Sequence, residues 1–247
     1  MLIDIHVHCS KPRHPKVSWE GSPFPTQERL IEMMDQAGID VAVLMCSVSP
    51  ECCYSPVIPE EALEICALYA ERLVSFCNLD PRYVGNSPDS DFSRLLEGYI
   101  ELGCRGVGEY TPNLPVDDPL NLNLFAQIEE AGLPLTFHLA PKVGGYYGMA
   151  DELGLPRLEN ALKAFPKLTF LAHSQVFWAE ISADVTDAER GGYPKGPVTP
   201  GRVVELMRAY PNLVGDLSAG SGYNAISRDL DFGLAFLDEF QDRLCFA

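Results

Sequence analysis

The sequence predicts an α/β fold, a (β/α)8 TIM barrel that is truncated within or just after its eighth strand. Short apolar runs alternate with amphipathic segments along all 247 residues, which is the pattern of repeated β-α units around a parallel sheet. No Ser/Gly-rich linker or low-complexity run divides the chain, so residues 1–247 are predicted to form a single domain. A doubly wound open sheet is the alternative, but no glycine-rich phosphate loop follows the first strand.

Eight apolar runs have the length expected of buried strands. They are Leu2–His8, Val41–Cys46, Leu73–Leu79, Cys104–Glu109, Leu135–His138, Leu168–His173, Leu213–Asp216 and Leu244–Ala247. Seven segments between them have helical periodicity. They are Gln27–Ala37, Glu60–Glu71, Phe92–Leu102, Leu122–Ala131, Leu158–Phe165, Arg202–Tyr210 and Leu230–Phe240. Gly38, Gly103 and Gly132 follow three of these segments, as expected where a helix ends.

The sequence stops at Ala247, inside the eighth predicted strand. A barrel needs its last strand paired on both sides and its last helix laid over apolar surface. Ending at this point would leave an exposed strand edge. We therefore expect the C-terminal end of the barrel to be missing from this sequence.

Composition and charge exclude several classes of protein. Hydrophobic residues make up 47% and charged residues 21% of the chain, which indicates a globular protein rather than a disordered one. The net charge of −17 repels phosphate backbones, so we expect a small-molecule substrate and no nucleic-acid partner. The chain has no secretory leader pattern and no apolar run of about 18 residues, which predicts a cytoplasmic protein without a membrane partner. Homo-oligomer formation is left open.

Two histidines near the start of the chain point to a metal site. His6 and His8 alternate with apolar residues within Met1–His8, as residues of a strand do. Alternate strand residues share a face, with Cα atoms about 6.6 Å apart, which suits two ligands of one ion. Each unpaired buried polar group costs roughly 1–3 kcal/mol, so two imidazoles on a buried face indicate a bound metal.

Three further polar residues end predicted strands. Glu109, His138 and His173 end the fourth, fifth and sixth strands. A single histidine in such a position is more often a hydrogen-bonded core residue than a ligand. Barrel active sites form at the carboxyl ends of the strands, however, and together with His6 and His8 these residues indicate one shared site.

These residues, in this order, resemble the amidohydrolase superfamily of metal-dependent barrels. The resemblance rests on the Asp4–His8 segment (DIHVH), on Glu109 in the segment GVGE, and on His138 and His173. It spans nearly the whole chain. The tract Leu171–Trp178 is most similar to the branch that contains amidohydrolase-related hydrolases and metal-dependent decarboxylases.

The resemblance implies that His6, His8 and His138 bind a divalent metal and that His173 binds a second ion or contacts the substrate as a catalytic group. Glu109 either bridges two ions or orients a histidine from behind. Zinc is the expected cofactor and manganese the alternative, with one or two ions left open. In the superfamily an aspartate of the eighth strand is a ligand and proton shuttle, and this sequence ends where that residue would follow.

Four residues near the ends of the fifth, sixth and seventh strands are predicted to bind substrate: Lys142, Trp178, Asp216 and Tyr223. Lys142 would hold a carboxylate, or else is a solvated loop lysine. Asp216 is assigned as a pocket residue because it ends the seventh strand rather than the eighth. The basic segment 11–16 is either a second anion contact or an exposed loop, and Cys52 with Cys53 either binds metal or supplies two ordinary thiols.

The predicted function is a metal-dependent hydrolase that activates water to cleave an amide, ester or lactone bond in a small molecule. A metal-dependent decarboxylase or hydratase of the same fold is an alternative, because the ligand set alone does not distinguish them. A metal-dependent nuclease is disfavoured by the acidic charge. A non-catalytic metal-binding barrel is the alternative from another class, and the missing eighth-strand aspartate is its support.

Overall fold

Eight parallel strands follow one another in the computed structural model, which describes residues 1–11, 24–52 and 56–247. They are β1 Ile3–Val7, β2 Val41–Leu44, β3 Leu73–Ser75, β4 Val107–Tyr110, β5 Leu135–Ala140, β6 Phe170–His173, β7 Leu213–Asp216 and β8 Leu244–Cys245. A two-residue strand, Met149–Ala150, pairs in parallel with the end of β5. The predictions made for residues 12–16 and for Cys53 lie outside the described residues.

The strands form a closed barrel. Parallel pairing runs through β1, β2 and β3 and separately from β4 through β8. Backbone hydrogen bonds join these two sheets at both edges. Gly108 N–H donates to the carbonyl of Cys77 at 2.8 Å, and Ile5 N–H donates to the carbonyl of Phe246 at 3.0 Å. The (β/α)8 barrel predicted from the sequence is therefore confirmed.

Nine α-helices lie within the described residues. They are α1 Gln27–Ala37, α2 Pro59–Leu68, α3 Ser93–Glu101, α4 Pro119–Ala131, α5 Pro156–Ala164, α6 Gln175–Ala179, α7 Arg202–Ala209, α8 Ala219–Ser227 and α9 Leu230–Phe240. All seven predicted helices are present within a few residues of their predicted bounds. α6 and α8 are additional, and they replace the loops expected after β6 and β7.

Local sequence explains several of these ends. Thr26 caps α1 by accepting a hydrogen bond from Arg29 N–H at 3.3 Å. Gly38 and Gly132 end α1 and α4 in the left-handed conformation, with φ of 72° and 70°. The extra helix α6 begins at Ser174, whose hydroxyl accepts from Phe177 N–H at 3.2 Å. No helix in the described ranges has the length and hydropathy needed to cross a bilayer.

Strand alternation divides the side chains between the helical layer and the barrel interior. In β6, Phe170 and Ala172 are buried in the core shared with the surrounding helices, whereas Leu171 packs against an apolar group that includes Met45. His173 lies two residues beyond Leu171 and shares its face. The apolar interior therefore lies directly beneath the carboxyl end of the barrel, where the polar side chains collect.

Candidate metal centre

Four histidines and two carboxylates meet at the carboxyl end of the barrel. They are His6 and His8 from β1 and the residue after it, Glu109 from β4, His138 from β5, His173 from β6 and Asp216 from β7. The five side chains predicted to share a site thus lie together, and Asp216 joins them. All are buried except His8, of whose side chain 23% is exposed.

Three donor atoms form a group of the size that one metal ion requires. The Nε2 atoms of His6 and His8 lie 3.1 Å apart, and Glu109 Oε2 lies 3.8 Å and 3.4 Å from them. Two ligands of a tetrahedral zinc ion, each bonded at about 2.0–2.1 Å, lie about 3.3 Å apart. These donors therefore match the spacing and the chemistry of a divalent metal site.

The second oxygen of Glu109 faces the other two histidines. Glu109 Oε1 lies 2.7 Å from His138 Nδ1 and 3.9 Å from His173 Nε2. His6, Glu109 and His173 also offer ligand atoms that all lie within 4.8 Å of one another. The carboxylate thus stands between two histidine pairs. The 2.7 Å contact is a hydrogen bond, which a second ion would have to replace.

Asp216 orients His6 from behind. Its Oδ2 lies 2.7 Å from His6 Nδ1, and its Oδ1 accepts a hydrogen bond from Ser218 N–H at 2.9 Å. In the neutral ring that a metal ligand requires, donation of Nδ1–H to this carboxylate would leave the Nε2 lone pair of His6 facing His8 and Glu109. Asp216 was predicted as a pocket residue; its side chain has no exposed surface in this arrangement.

The carboxylates hold the centre negative while its histidines differ in basicity. Burial disfavours the charged form of His6, but the charge and hydrogen bond of Asp216 outweigh it and raise the pKa of His6 to about 10. Burial would raise the pKa of Glu109, yet the hydrogen bond with His138 and the nearby rings of His6 and His8 hold it well below its usual range. Burial and the charge of His6 lower the pKa of His173 to about 3, so His173 is neutral at pH 7.

The chain resembles solved structures, but its sequence matches no family model and no curated protein. A TIM-barrel protein of uncharacterised function from Bordetella bronchiseptica matches with a TM-score of 0.65 and 17% identity, covering 100% of this chain and 84% of that one. A probable 2-pyrone-4,6-dicarboxylic acid hydrolase from Acinetobacter baumannii matches with a TM-score of 0.60 and 14% identity, covering 100% and 82%.

A dihydroxybenzoic acid decarboxylase from Polaromonas with bound manganese matches with a TM-score of 0.56 and 15% identity, covering 100% of this chain and 85% of that one. These hydrolase and decarboxylase neighbours are members of the amidohydrolase superfamily. The chain has the same barrel fold as these neighbours. At these identities the likeness establishes the fold, as the resemblance in the sequence predicted.

A cavity of about 190 Å³ opens beside His138 at the carboxyl end of the barrel. The segment after β5 supplies Tyr146 and Tyr147 to its lining, α6 supplies Gln175, and the loop after α6 supplies Gly191. The ring centroids of Tyr147 and His138 lie 4.3 Å apart. The cavity therefore joins an aromatic surface to the metal centre and is the candidate substrate site.

Three of the predicted substrate residues, Lys142, Trp178 and Tyr223, are not among the residues that line this cavity. Lys142 follows β5, and its Nζ lies 5.8 Å from the ring centroid of Tyr146. Trp178 is only 2% exposed on α6 and donates its indole N–H to the carbonyl of Asp216 at 2.9 Å. Tyr223 is 70% exposed on α8. Trp178 and Tyr223 stand on α6 and α8, helices that replace the loops expected there.

Asn113, which no sequence pattern indicated, holds the tyrosine-bearing segment after β5. Its side-chain amide donates to the carbonyls of Lys142 and Gly148 at 3.1 Å and 2.9 Å. Its carbonyl oxygen accepts from Gly144 N–H. A single asparagine after a strand carries no pattern, and the adjacent Gly144 and Gly145 indicate only a turn.

Proposed function

We propose that the protein is a metal-dependent hydrolase that cleaves an amide, ester or lactone bond in a small molecule. The carrying observation is the set of three donors from His6, His8 and Glu109 within 3.1–3.8 Å of one another. A divalent ion bound there would supply activated water and polarise a substrate oxygen. Zinc suits these donors, and manganese is the ion in the Polaromonas decarboxylase. The acidic net charge of −17 supports a small-molecule substrate over a nucleic acid.

His173 is the proposed catalytic residue. Its lowered pKa keeps it neutral, and its Nδ1 lies 2.5 Å from Ser218 Oγ. If Nδ1–H donates to this hydroxyl, Nε2 carries the lone pair and can accept a proton at the substrate. The carboxylate of Asp216, 3.9 Å from His173 Nδ1, would stabilise the imidazolium so formed.

A decarboxylase is the second candidate, because several neighbours favour it. The solved structures that resemble this chain include a 2,6-dihydroxybenzoate decarboxylase and a 5-carboxyvanillate decarboxylase, besides the 2-pyrone-4,6-dicarboxylic acid hydrolase. The substrates in these names are all ring carboxylic acids. We infer a small ring acid as the substrate class, with hydrolysis or loss of carbon dioxide as its reaction.

The metal assignment is tested by metal content per chain, measured by inductively coupled plasma mass spectrometry. The wild type should carry one or two equivalents of zinc or manganese, and His6→Ala/His8→Ala should carry none while remaining folded. The matched control is Arg208→Ala/Glu239→Ala, which removes an exposed surface ion pair. Stoichiometric metal in the double histidine variant would refute the site, as would a wild type that stays metal-free after reconstitution.

The reaction is tested by incubating the metal-loaded protein with a panel of ring acids and lactones in ¹⁸O-labelled water. Incorporation of ¹⁸O into the product without carbon dioxide release would support the hydrolase. Carbon dioxide release without ¹⁸O in the organic product would support the decarboxylase. Stoichiometric metal with neither reaction across the panel would favour a metal-binding barrel without catalysis.

A further inference from the structure

A fully buried arginine lies in the loop that forms one wall of the cavity. Arg190 has 0% exposed surface, although it belongs to the long connection between α6 and α7. The next residue, Gly191, lines the cavity beside His138. The two ends of this connection are joined by a backbone hydrogen bond that does not involve Arg190, from Ala183 N–H to the carbonyl of Thr199 at 2.8 Å.

The guanidinium of Arg190 connects three segments of the chain. Its Nη1 donates to the backbone carbonyl of Asp151 at 2.7 Å, and its Nη2 lies 2.6 Å from Glu180 Oε1. Glu180 Oε2 accepts a hydrogen bond from Gly154 N–H at 2.7 Å. Arg190 thereby ties the middle of the connection to the end of α6 and to the segment that precedes α5.

On its other side the connection faces the cavity. A Cβ atom on Gly191 would lie 3.9 Å from the ring of Pro141, which also lines the cavity. Gln175, another lining residue, places its Nε2 3.4 Å from the hydroxyl of Tyr193. The contacts of the Arg190 guanidinium therefore lie behind the wall, while the residues that follow it form the wall.

Stability alone is a weak reason to bury this ion pair. Replacing a buried ion pair with well-packed apolar residues is often neutral or stabilising, because both charges lose their hydration. Removing one partner is costly, since it leaves the other charge buried and unpaired. A buried arginine that fixes a loop beside a cavity is better explained by the position it imposes.

We propose that Arg190 is a positioning residue, which holds Gly191 and its neighbours as a wall of the substrate cavity through Glu180 and the carbonyl of Asp151. This inference rests on the proposed function of the same site. It assigns substrate affinity, rather than metal binding or chemistry, as the property that Arg190 controls.

The test compares the wild type with Arg190→Met/Glu180→Gln, which removes both charges and keeps an acceptor for Gly154 N–H. We expect unchanged metal content, kcat within about twofold of the wild type and KM raised about tenfold, because the wall is no longer fixed. The matched control, Arg208→Met/Glu239→Gln, makes the same changes in an exposed ion pair and should leave KM unchanged. A wild-type KM in the Arg190 variant would overturn the proposal.

A second readout does not depend on turnover. The amides of Arg190 and Gly192 donate within the loop, to Thr186 and Glu189. Their hydrogen exchange should be about tenfold faster in the variant, while exchange in the barrel strands stays the same. Unchanged exchange would overturn the anchoring. A wild type that loads metal but converts no ring acid would contradict the proposed function, and the exchange comparison would still decide whether Arg190 holds the loop.

Discussion

Oδ2 of Asp216 lies 2.7 Å from Nδ1 of His6, which connects β7 to β1 across the carboxyl end of the barrel. These strands are not neighbours, because β8 pairs with β7 and carries the backbone contact to β1. The carboxylate therefore spans the position of β8 and fixes the ring of a metal-ligand candidate. An orienting partner of this kind sets ligand basicity as well as direction.

Asp216→Asn should weaken metal binding by about 10–100-fold without unfolding the barrel. The neutral amide lacks the negative charge that holds the proton on His6 Nδ1 and so makes Nε2 a stronger ligand. Affinity is measured by competition with a chromogenic chelator. Asp238→Asn, an exposed substitution on α9 of the same chemical kind, is the control and should bind metal as the wild type does. Equal affinities in the two variants would show that Asp216 does not support the site.

If Glu109 bridges two ions, Glu109→Gln should lower the metal content from two equivalents to one, because each oxygen of this carboxylate faces a different pair of histidines. A glutamine offers one weak oxygen ligand and cannot bridge two ions. Metal content is measured after reconstitution and gel filtration, with the exposed Glu101→Gln on α3 as control. Unchanged content would instead make Glu109 a hydrogen-bonding partner of a histidine ligand.

Gly148→Ala should reduce kcat/KM by about tenfold or more, because a Cβ there would lie 2.8 Å from Cδ2 of His138. Gly148 also has a φ of +100°, which alone disfavours alanine. Gly85→Ala controls for that backbone strain, since Gly85 has a φ of +97° with nothing within 4 Å of its would-be Cβ. Equal losses in both variants would show that the contact with His138 is unimportant.

The parts of the site that follow strand periodicity could be predicted from sequence. His6 and His8 alternate along one strand, and His138 and His173 lie on neighbouring strands in register. The two-residue period of a strand and the order of the strands along the chain were therefore enough to place these histidines in one site. Trp178 was predicted to bind substrate, but its buried position was not foreseen, because α6, a helix of only five residues, replaces an expected loop. A residue such as Arg190 gives no local signal, since its carbonyl partner lies 39 residues away in sequence. A contact between two side chains that are far apart in sequence leaves no periodic pattern in the sequence from which it could be predicted.

Acid should destabilise the metal-free protein partly through His173. The pKa of this residue is lowered from 6.5 to about 3 in the folded chain by burial and by the charge of His6. Between these values the unfolded chain binds a proton that the folded chain does not. The free energy of unfolding therefore falls as the pH drops below 6.5.

The contribution of His173 is isolated by comparing the wild type with His173→Gln in the presence of a chelator. Relative to the variant, the wild type should lose about 2 kcal/mol of unfolding free energy between about pH 6.5 and about pH 5. Other shifted groups act in both proteins and largely cancel. These include His6, whose raised pKa stabilises the folded state below pH 6.5 and ceases to do so as the pH rises through about 10. Urea unfolding followed by tryptophan fluorescence measures the difference, and a difference that is constant with pH would contradict a neutral buried His173.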